Sequence, residues 1–236
     1  WGESELRVRF EIDDEGDYAD LITAMVGTDP LVLGMKARLL AASKRQNEAL
    51  ELLGTFEGQE KLAALAVVQT MSGNPAEAFQ ACLDGLALPE VTDSCRQLFT
   101  LLKVRARFSI AVGYGTSVHF DQILPPSGLA NVNLQKIKDA WPDIVAAVDV
   151  LEESGWATNA EFIADIWAAT ASMLGKQDEV VDQMLAVARI RPHLESFQIA
   201  VEAIAAQCGK FNEALEVNER VSYSDLKALR KTAYLH

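Results

Sequence analysis

Two stretches of the chain repeat the same short pattern at a distance of 34 residues. Residues 174–181 read LGKQDEVV, and residues 208–215 read CGKFNEAL. In both stretches a Gly-Lys pair is followed by acidic and then apolar residues, and helix-forming residues lie on either side. Recurrence at a period of roughly 20 to 50 residues indicates a repeat protein, in which stacked units bury a core that one unit alone could not.

The same register continues towards the N-terminus. Steps of 34 residues back from Gly175 reach Trp141, Arg107 and Gly73. We predict that each unit consists of a helix, a short turn at this position, a second helix and a proline that ends it. The predicted units are residues 59–92, 93–126, 127–160, 161–194 and 195–228, after a shorter unit at 30–58.

Prolines support the predicted helix boundaries. Asn74 and Pro75 are typical of an N-cap and a first helical residue, and Pro142 is predicted to begin a helix in the same way. The second helix of a unit is expected to stop near Pro89, Pro125 and Pro192, because the residue before a proline disfavours helical geometry.

Residues 161–194 and 195–221 resemble tetratricopeptide repeats. GKFNEA at 209–214 has the glycine, aromatic, acidic and alanine residues of that family in order, whereas GKQDEV at 175–180 has Gln and Val at the aromatic and alanine positions. Residues 59–89 share the resemblance through GNPAEA at 73–78. In residues 93–160 only the 34-residue spacing and the positions of the prolines support it. The resemblance implies an all-α fold over residues 30–236, with antiparallel helix pairs stacked as a right-handed superhelix.

Tetratricopeptide arrays hold extended peptides or helices in a concave groove lined by the first helix of each pair. The resemblance therefore implies a non-catalytic scaffold for protein–protein interaction, as part of a larger protein or complex. The positions that match the groove are Phe162, Asp165, Ile166, Ala169, Met173, Ile199, Ala203 and Gln207. Most of them are apolar or small, which favours a hydrophobic or helical partner. Alternatively, residues 108–128 or the N-terminal arm fill the groove.

Three segments depart from the repeat. Residues 6–12 (LRVRFEI) alternate between apolar and charged residues, which predicts a strand within an N-terminal arm and first helix at 1–29. Residues 111–128 contain three Gly and two consecutive Pro, so the middle of the chain is predicted to be irregular. Residues 224–235 are predicted to form a capping helix at the C-terminal end.

The predicted strand at 6–12 needs a partner, because an unpaired strand leaves backbone N–H and C=O groups exposed. It could pair with a second copy of the chain, which would make a homo-oligomer, lie as an arm on the helices, or belong to a domain that precedes Trp1. The last option motivates an alternative function, a regulatory domain that senses a ligand or peptide and relays binding to an upstream domain.

Residue types that carry chemistry are few. The chain has three His residues, and only Ser117, His119 and Asp121 suggest a catalytic group. Three neighbouring residues on one strand face rarely achieve the geometry of a triad, so no catalytic residue is predicted. The acidic run at 13–17 lacks the spacing of a calcium loop, and no zinc or nucleotide motif is present, so no metal or cofactor is predicted.

Charge narrows the class of partner. The chain has 34 acidic and 21 basic residues, a formal net charge of −13. Such a chain repels phosphate backbones and anionic membrane surfaces, so neither a nucleic acid nor a membrane is expected as a partner. Lys103 and Arg107 form a small basic cluster on one helix face. This face is either solvated or binds an acidic segment of a partner. Three cysteines without a CxxC pair suggest a reducing, cytoplasmic location. The alternative is that a targeting leader was removed before Trp1.

Overall fold

The computed structural model describes residues 18–113, 132–153, 161–192 and 194–220. All regular secondary structure within these ranges is α-helical, which confirms the all-α prediction, and it comprises eleven helices. The helices are α1 (Ala19–Ala24), α2 (Pro30–Ala42), α3 (Gln46–Leu53), α4 (Gln59–Met71), α5 (Pro75–Leu86), α6 (Asp93–Val112), α7 (Leu134–Glu153), α8 (Glu161–Leu174), α9 (Gln177–Ile190), α10 (Glu195–Gln207) and α11 (Phe211–Asn218). The predicted strand at 6–12 and capping helix at 224–235 lie outside the described residues.

Short turns with the same backbone geometry join α4 to α5, α8 to α9 and α10 to α11. Each has a glycine in the left-handed region, with φ of 76° at Gly73, 66° at Gly175 and 73° at Gly209. The N–H of the next residue donates to a carbonyl five positions back, as Lys176 does to Ala171 at 2.8 Å. This is a Schellman motif, which satisfies the last carbonyl groups of a helix and reverses the chain. The recurring Gly-Lys pair is therefore helix-end chemistry.

The turn between α2 and α3 repeats this geometry without a glycine. Lys44 occupies the left-handed position with φ of 61°, and the Arg45 N–H donates to the Leu40 carbonyl at 2.9 Å. A residue with a Cβ atom is strained in this region, because the Cβ approaches the following carbonyl oxygen. The sequence predicts a degenerate unit at 30–58, but it gives no sign of a turn at Lys44.

Replacing Lys44 by Gly is expected to stabilise the protein by about 0.5–1 kcal/mol, because relief of the left-handed strain exceeds the extra backbone entropy of glycine in the unfolded chain. The free energy of unfolding in urea measures the change. Gly175→Ala is the opposite control, because a Cβ atom there meets nothing within 4 Å and adds only strain. An unchanged or reduced stability of Lys44→Gly would contradict the left-handed turn.

Helices contact their neighbours in sequence and also their second neighbours. The first helices of successive pairs touch in the order α2, α4, α6, α8 and α10. Gly34 allows one of these contacts to be close, because a Cβ atom at this position would lie 3.2 Å from the Glu60 carbonyl oxygen. The first helices therefore form one continuous layer through the described part of the chain.

The structure corrects the predicted units at 93–126 and 127–160. The register predicts a turn at Arg107 and another at Trp141, but both residues lie inside helices of 20 residues, α6 and α7. The prediction that Pro142 begins a helix is also wrong, since Pro142 lies in the interior of α7. The physical reason is that neither position is a glycine, which a turn in the left-handed conformation favours. Helix α6 ends only at Gly113, which adopts this conformation with φ of 75°.

The predicted boundaries near Pro75, Pro89 and Pro192 are confirmed, and Pro125 lies outside the described residues. Helix α5 begins at Pro75 and ends shortly before Pro89, and α9 ends shortly before Pro192. Asn74 stands at the N-cap position, but its side chain makes no capping hydrogen bond and instead donates to the Gln69 side-chain oxygen at 2.9 Å.

Candidate functional site

Helices α8 and α10 carry all eight residues that the sequence places in a groove, and the two helices are in contact. Ile166 and Ala169 are buried in the core, with 6 % and 2 % of their surface exposed, so they offer little surface to a ligand. Ala203 and Gln207 are exposed. The half-buried members are Phe162, Asp165, Met173 and Ile199.

Each of these two helices has accessible apolar side chains that share one of its faces. On α10, Ile199, Ala203 and Ala206 are spaced by four and three positions, which places them on one helix face. On α8, Phe162 and Met173 are separated by three helical turns and also share a face. We call these five residues the apolar stripe.

The core side of α8 and α10 holds the two helices against each other. The rings of Trp167 on α8 and Phe197 on α10 stack with centroids 6.1 Å apart and planes 15° apart, and both side chains are buried. Gln198 also fixes α10, because its side-chain amide donates to the carbonyl of Ala188 at 2.7 Å and to that of Arg191 at 3.1 Å. These core contacts therefore fix the two helices that carry the apolar stripe.

Helix α6 contributes a cation at one end of the apolar stripe. The Arg105 guanidinium carbon lies 5.3 Å from the centre of the Phe162 ring. A cation over an aromatic face is attracted by the ring quadrupole, an interaction of about 0.5–1 kcal/mol at an exposed position. Phe162 is therefore partly covered, and the stripe is most open around Ala203.

The basic cluster predicted at Lys103 and Arg107 is engaged within the fold. Lys103 donates to Asp143 on α7 at 2.9 Å, and Arg107 donates to the other carboxylate oxygen of the same residue. Burial alone would raise the pKa of Asp143, but hydrogen bonds from the two cations and their charges lower it below its ordinary value. The cluster joins α6 to α7, which accounts for its positive charge without an acidic partner.

Replacing Asp143 by Asn is expected to destabilise the protein by about 1–2 kcal/mol at pH 7, because two partly buried cations lose their counter-charge. Since the folded-state pKa of Asp143 is depressed, its contribution is complete above the unfolded pKa of about 3.9 and is lost as the pH falls through the folded value. Urea unfolding at pH 7, 5 and 3 should show the difference from the wild type shrink only at the lowest pH. The control is Asp149→Asn, an exposed carboxylate on the same helix, and an equal effect of both variants would contradict the assignment.

An open cleft of about 510 Å³ lies among α1, α2 and α3, and nothing in the sequence indicates it. Three of its four charged residues are engaged within the fold, since Arg45 pairs with Glu48 at 2.6 Å and Lys36 donates to the Met25 carbonyl at 3.1 Å. The Thr55 hydroxyl, also in the lining, donates to a backbone carbonyl. Because most of its polar groups are satisfied in this way, the cleft offers no cluster of groups that indicates a ligand.

Reactive groups give no second candidate in the part of the chain that the structure describes. Burial raises the pKa of the Cys82 thiol to about 12. The pKa of the Cys208 thiol is raised to about 11, mainly by burial and secondly by a hydrogen bond with Asp178 and the charge of that residue. Both thiols therefore stay protonated at neutral pH. No group of three or more His, Cys, Asp or Glu side chains that could hold a metal ion occurs in the described ranges. Ser117, His119 and Asp121 lie outside them.

Comparisons with known proteins do not assign the chain to a family. No family model, no curated protein and no solved structure matches it. A search of the described helices finds none with the length and apolar character needed to cross a membrane.

Proposed function

We propose that the helix pairs stack as a tetratricopeptide-like right-handed superhelix, with the irregular middle segment that the sequence predicts at residues 111–128. Two features support the stacking. The first helices of successive pairs contact one another from α2 to α10, and four of the turns within pairs share the Schellman geometry. Repeat solenoids are built from such nearest-neighbour contacts between similar units.

We infer that the protein is a non-catalytic scaffold for protein–protein interaction, located in the cytoplasm, where three free thiols stay reduced. The apolar stripe is the observation that carries this proposal. Four of its side chains are half-buried and Ala203 is exposed, on two contacting helices that also pack together through Trp167 and Phe197. Apolar side chains that are left partly accessible on neighbouring helices are candidates for an interaction site. The proposed partner is a protein or peptide with a hydrophobic or helical binding segment.

Ala203 offers the sharpest test of the apolar stripe. It is exposed on α10, so Ala203→Arg adds a long cation to the centre of the stripe without displacing core atoms. Ala186 on α9 is a matched control, because it is also an exposed alanine within a helix but lies on the second helix of the neighbouring pair. The two variants should have the same helicity and urea midpoint as the wild type, since Ala and Arg have similar helix propensities.

Affinity capture from lysate of the source cells, with the three proteins as baits, tests the proposal. We expect at least one protein to be retained by the wild type and by Ala186→Arg and to be lost with Ala203→Arg. Identical protein lists from all three baits would contradict partner binding at the stripe, and would favour a groove filled by the chain itself.

A further inference from the structure

We propose that α11 is a releasable helix, which leaves its packed position on α9 and α10 while the helices before it stay folded. The observation behind this inference is a buried amide, Asn218, at a position where a near-copy of the same helix has a leucine. The inference goes beyond the proposed scaffold function and does not depend on the apolar stripe.

Helices α3 and α11 are two versions of one element. Each has eight residues and follows a turn with a residue in the left-handed region, and the sequence NEALE at 47–51 recurs at 212–216. The burial repeats as well, since Ala49 and Ala214 are both fully buried. Position by position, α3 is therefore an internal reference for α11.

The two versions differ at their last core position. Leu53 of α3 has 2 % of its surface exposed, and Asn218 occupies the same place in α11 with 1 % exposed. Neither the amide nitrogen nor the amide oxygen of Asn218 has a hydrogen-bond partner. A buried polar group without a partner costs stability, because its hydrogen bonds to water in the unfolded chain are not replaced. Asn218 therefore weakens the packing of α11 at a position where leucine would strengthen it.

The apolar contacts of α11 do little to offset this cost. Of its eight residues, only Ala214 and Val217 are buried apolar residues, whereas α9 has six. Phe211, the largest side chain of α11, is 52 % exposed. A helix this short is not stable in water on its own, because it does not recover the cost of nucleation. Release of α11 is therefore expected to unfold it.

Ion pairs connect α11 and its preceding turn to α9 at the surface. Lys210 pairs with Asp182 at 3.0 Å, and Arg189 pairs with Glu216 at 3.1 Å. Between 31 % and 83 % of each of these four side chains is exposed. Exposed pairs contribute little to stability and are screened by salt. They therefore hold α11 weakly, and less so as the ionic strength rises.

Release of α11 would change the support of the proposed binding surface. Regions of low local stability open while the core stays folded, and elements that move in regulated proteins come from such regions. Helix α11 packs on α10, which carries Ile199, Ala203 and Ala206 of the apolar stripe. A ligand that prefers the docked or the released state shifts the population between the two. Helix α11 is thus a two-state element next to the stripe.

Native-state hydrogen exchange of the full chain, read by mass spectrometry of its peptides, measures the release. We expect the amides of α11 to exchange at least about tenfold faster than those of α3 and α8. Low concentrations of urea should accelerate exchange in α8 but not in α11, because release of one short helix exposes little surface.

Replacing Asn218 by Leu is expected to slow exchange in α11 by at least about tenfold, because it removes the unpaired amide and restores the core residue of α3. Asn212→Leu is the matched control, since it makes the same change at an exposed position of the same helix, and its effect should stay within about twofold. Leu53→Asn makes the reverse change and should accelerate exchange in α3 by at least about tenfold. If Leu53→Asn does not fold, the two substitutions in α11 decide without it.

Three results would overturn the inference. Equal exchange of α11 and α8 in the wild type, with the same dependence on urea, would show that α11 opens only when the whole protein unfolds. Unchanged or faster exchange in Asn218→Leu would show that the Asn218 amide is paired in the docked helix. Equal effects of Asn218→Leu and Asn212→Leu would attribute the change to helix propensity. The capture experiment decides the scaffold function independently of all three.

Discussion

Replacing Gly85 by Ala is expected to destabilise the protein by about 2–3 kcal/mol, although alanine is the better helix former. Gly85 lies in α5, where its Cα faces the ring of Phe99 on α6. A Cβ atom added at Gly85 would lie 2.3 Å from Cζ, 2.5 Å from Cε2 and 2.6 Å from Cε1 of that ring. Carbon atoms in contact are about 3.5–4.0 Å apart, so either the ring or the helix has to move.

The surroundings of Phe99 leave little room for such a movement. Its side chain is fully buried in a cluster with Leu98, Leu102 and Cys95, and close-packed interiors have few voids that could accept a displaced ring. Without this contact, the substitution would gain about 1 kcal/mol from helix propensity alone. The sign of the change therefore reports directly on the contact between α5 and α6.

A double-mutant cycle with Phe99→Leu measures that contact. The free energies of unfolding in urea are compared for the wild type, Gly85→Ala, Phe99→Leu and the double variant. The smaller side chain of Leu should accept the added methyl group, so Gly85→Ala is expected to be close to neutral in the Phe99→Leu background. A loss of the same size in both backgrounds would place Gly85 away from Phe99.

The turns of the fold can be predicted from sequence only where glycine marks them. Gly73, Gly175 and Gly209 indicate turns because a left-handed helix end favours glycine, and the structure has turns at all three. Lys44 adopts the same conformation at the cost of strain, and no residue type signals that. Between 93 and 160 the prediction relies on the period and on proline positions, and without a glycine these do not determine where a helix ends.

The sequence predicts which helices carry the candidate site better than it predicts which side chains on those helices are accessible. The 34-residue register selects α8 and α10, and the structure places Phe162, Met173, Ile199 and Ala203 at least partly at the surface. Ile166 lies on α8 as predicted but is buried. Because successive residues differ by about 100° around a helix, a small error in the rotation of a helix exchanges a groove position for a core position. Only the packed neighbours determine this rotation, and the sequence does not reveal them.

Replacing Pro142 by Ala is expected to stabilise the protein by about 2 kcal/mol. Pro142 is exposed in the interior of α7, where it has no N–H to donate to the carbonyl of Lys138 and its ring crowds that carbonyl. A proline inside a helix costs about 3 kcal/mol, of which up to about 1 kcal/mol is offset because proline restricts the unfolded chain. Alanine restores the hydrogen bond, and little packing is lost because the ring faces solvent.

The same variant distinguishes one long helix from two short ones. If Pro142 began a helix, as its sequence context predicts, its missing N–H would be harmless and its fixed φ favourable, so Pro142→Ala would be neutral or destabilising. Urea unfolding gives the sign of the change. Hydrogen exchange of the new backbone amide in Pro142→Ala gives the cause, since protection of that amide requires a continuous helix. Val145→Ala on the same helix controls for propensity, and its effect should stay below about 0.7 kcal/mol. A gain in stability together with a protected amide would establish α7 as a single helix, and would thereby explain why the 34-residue register fails in the middle of the chain.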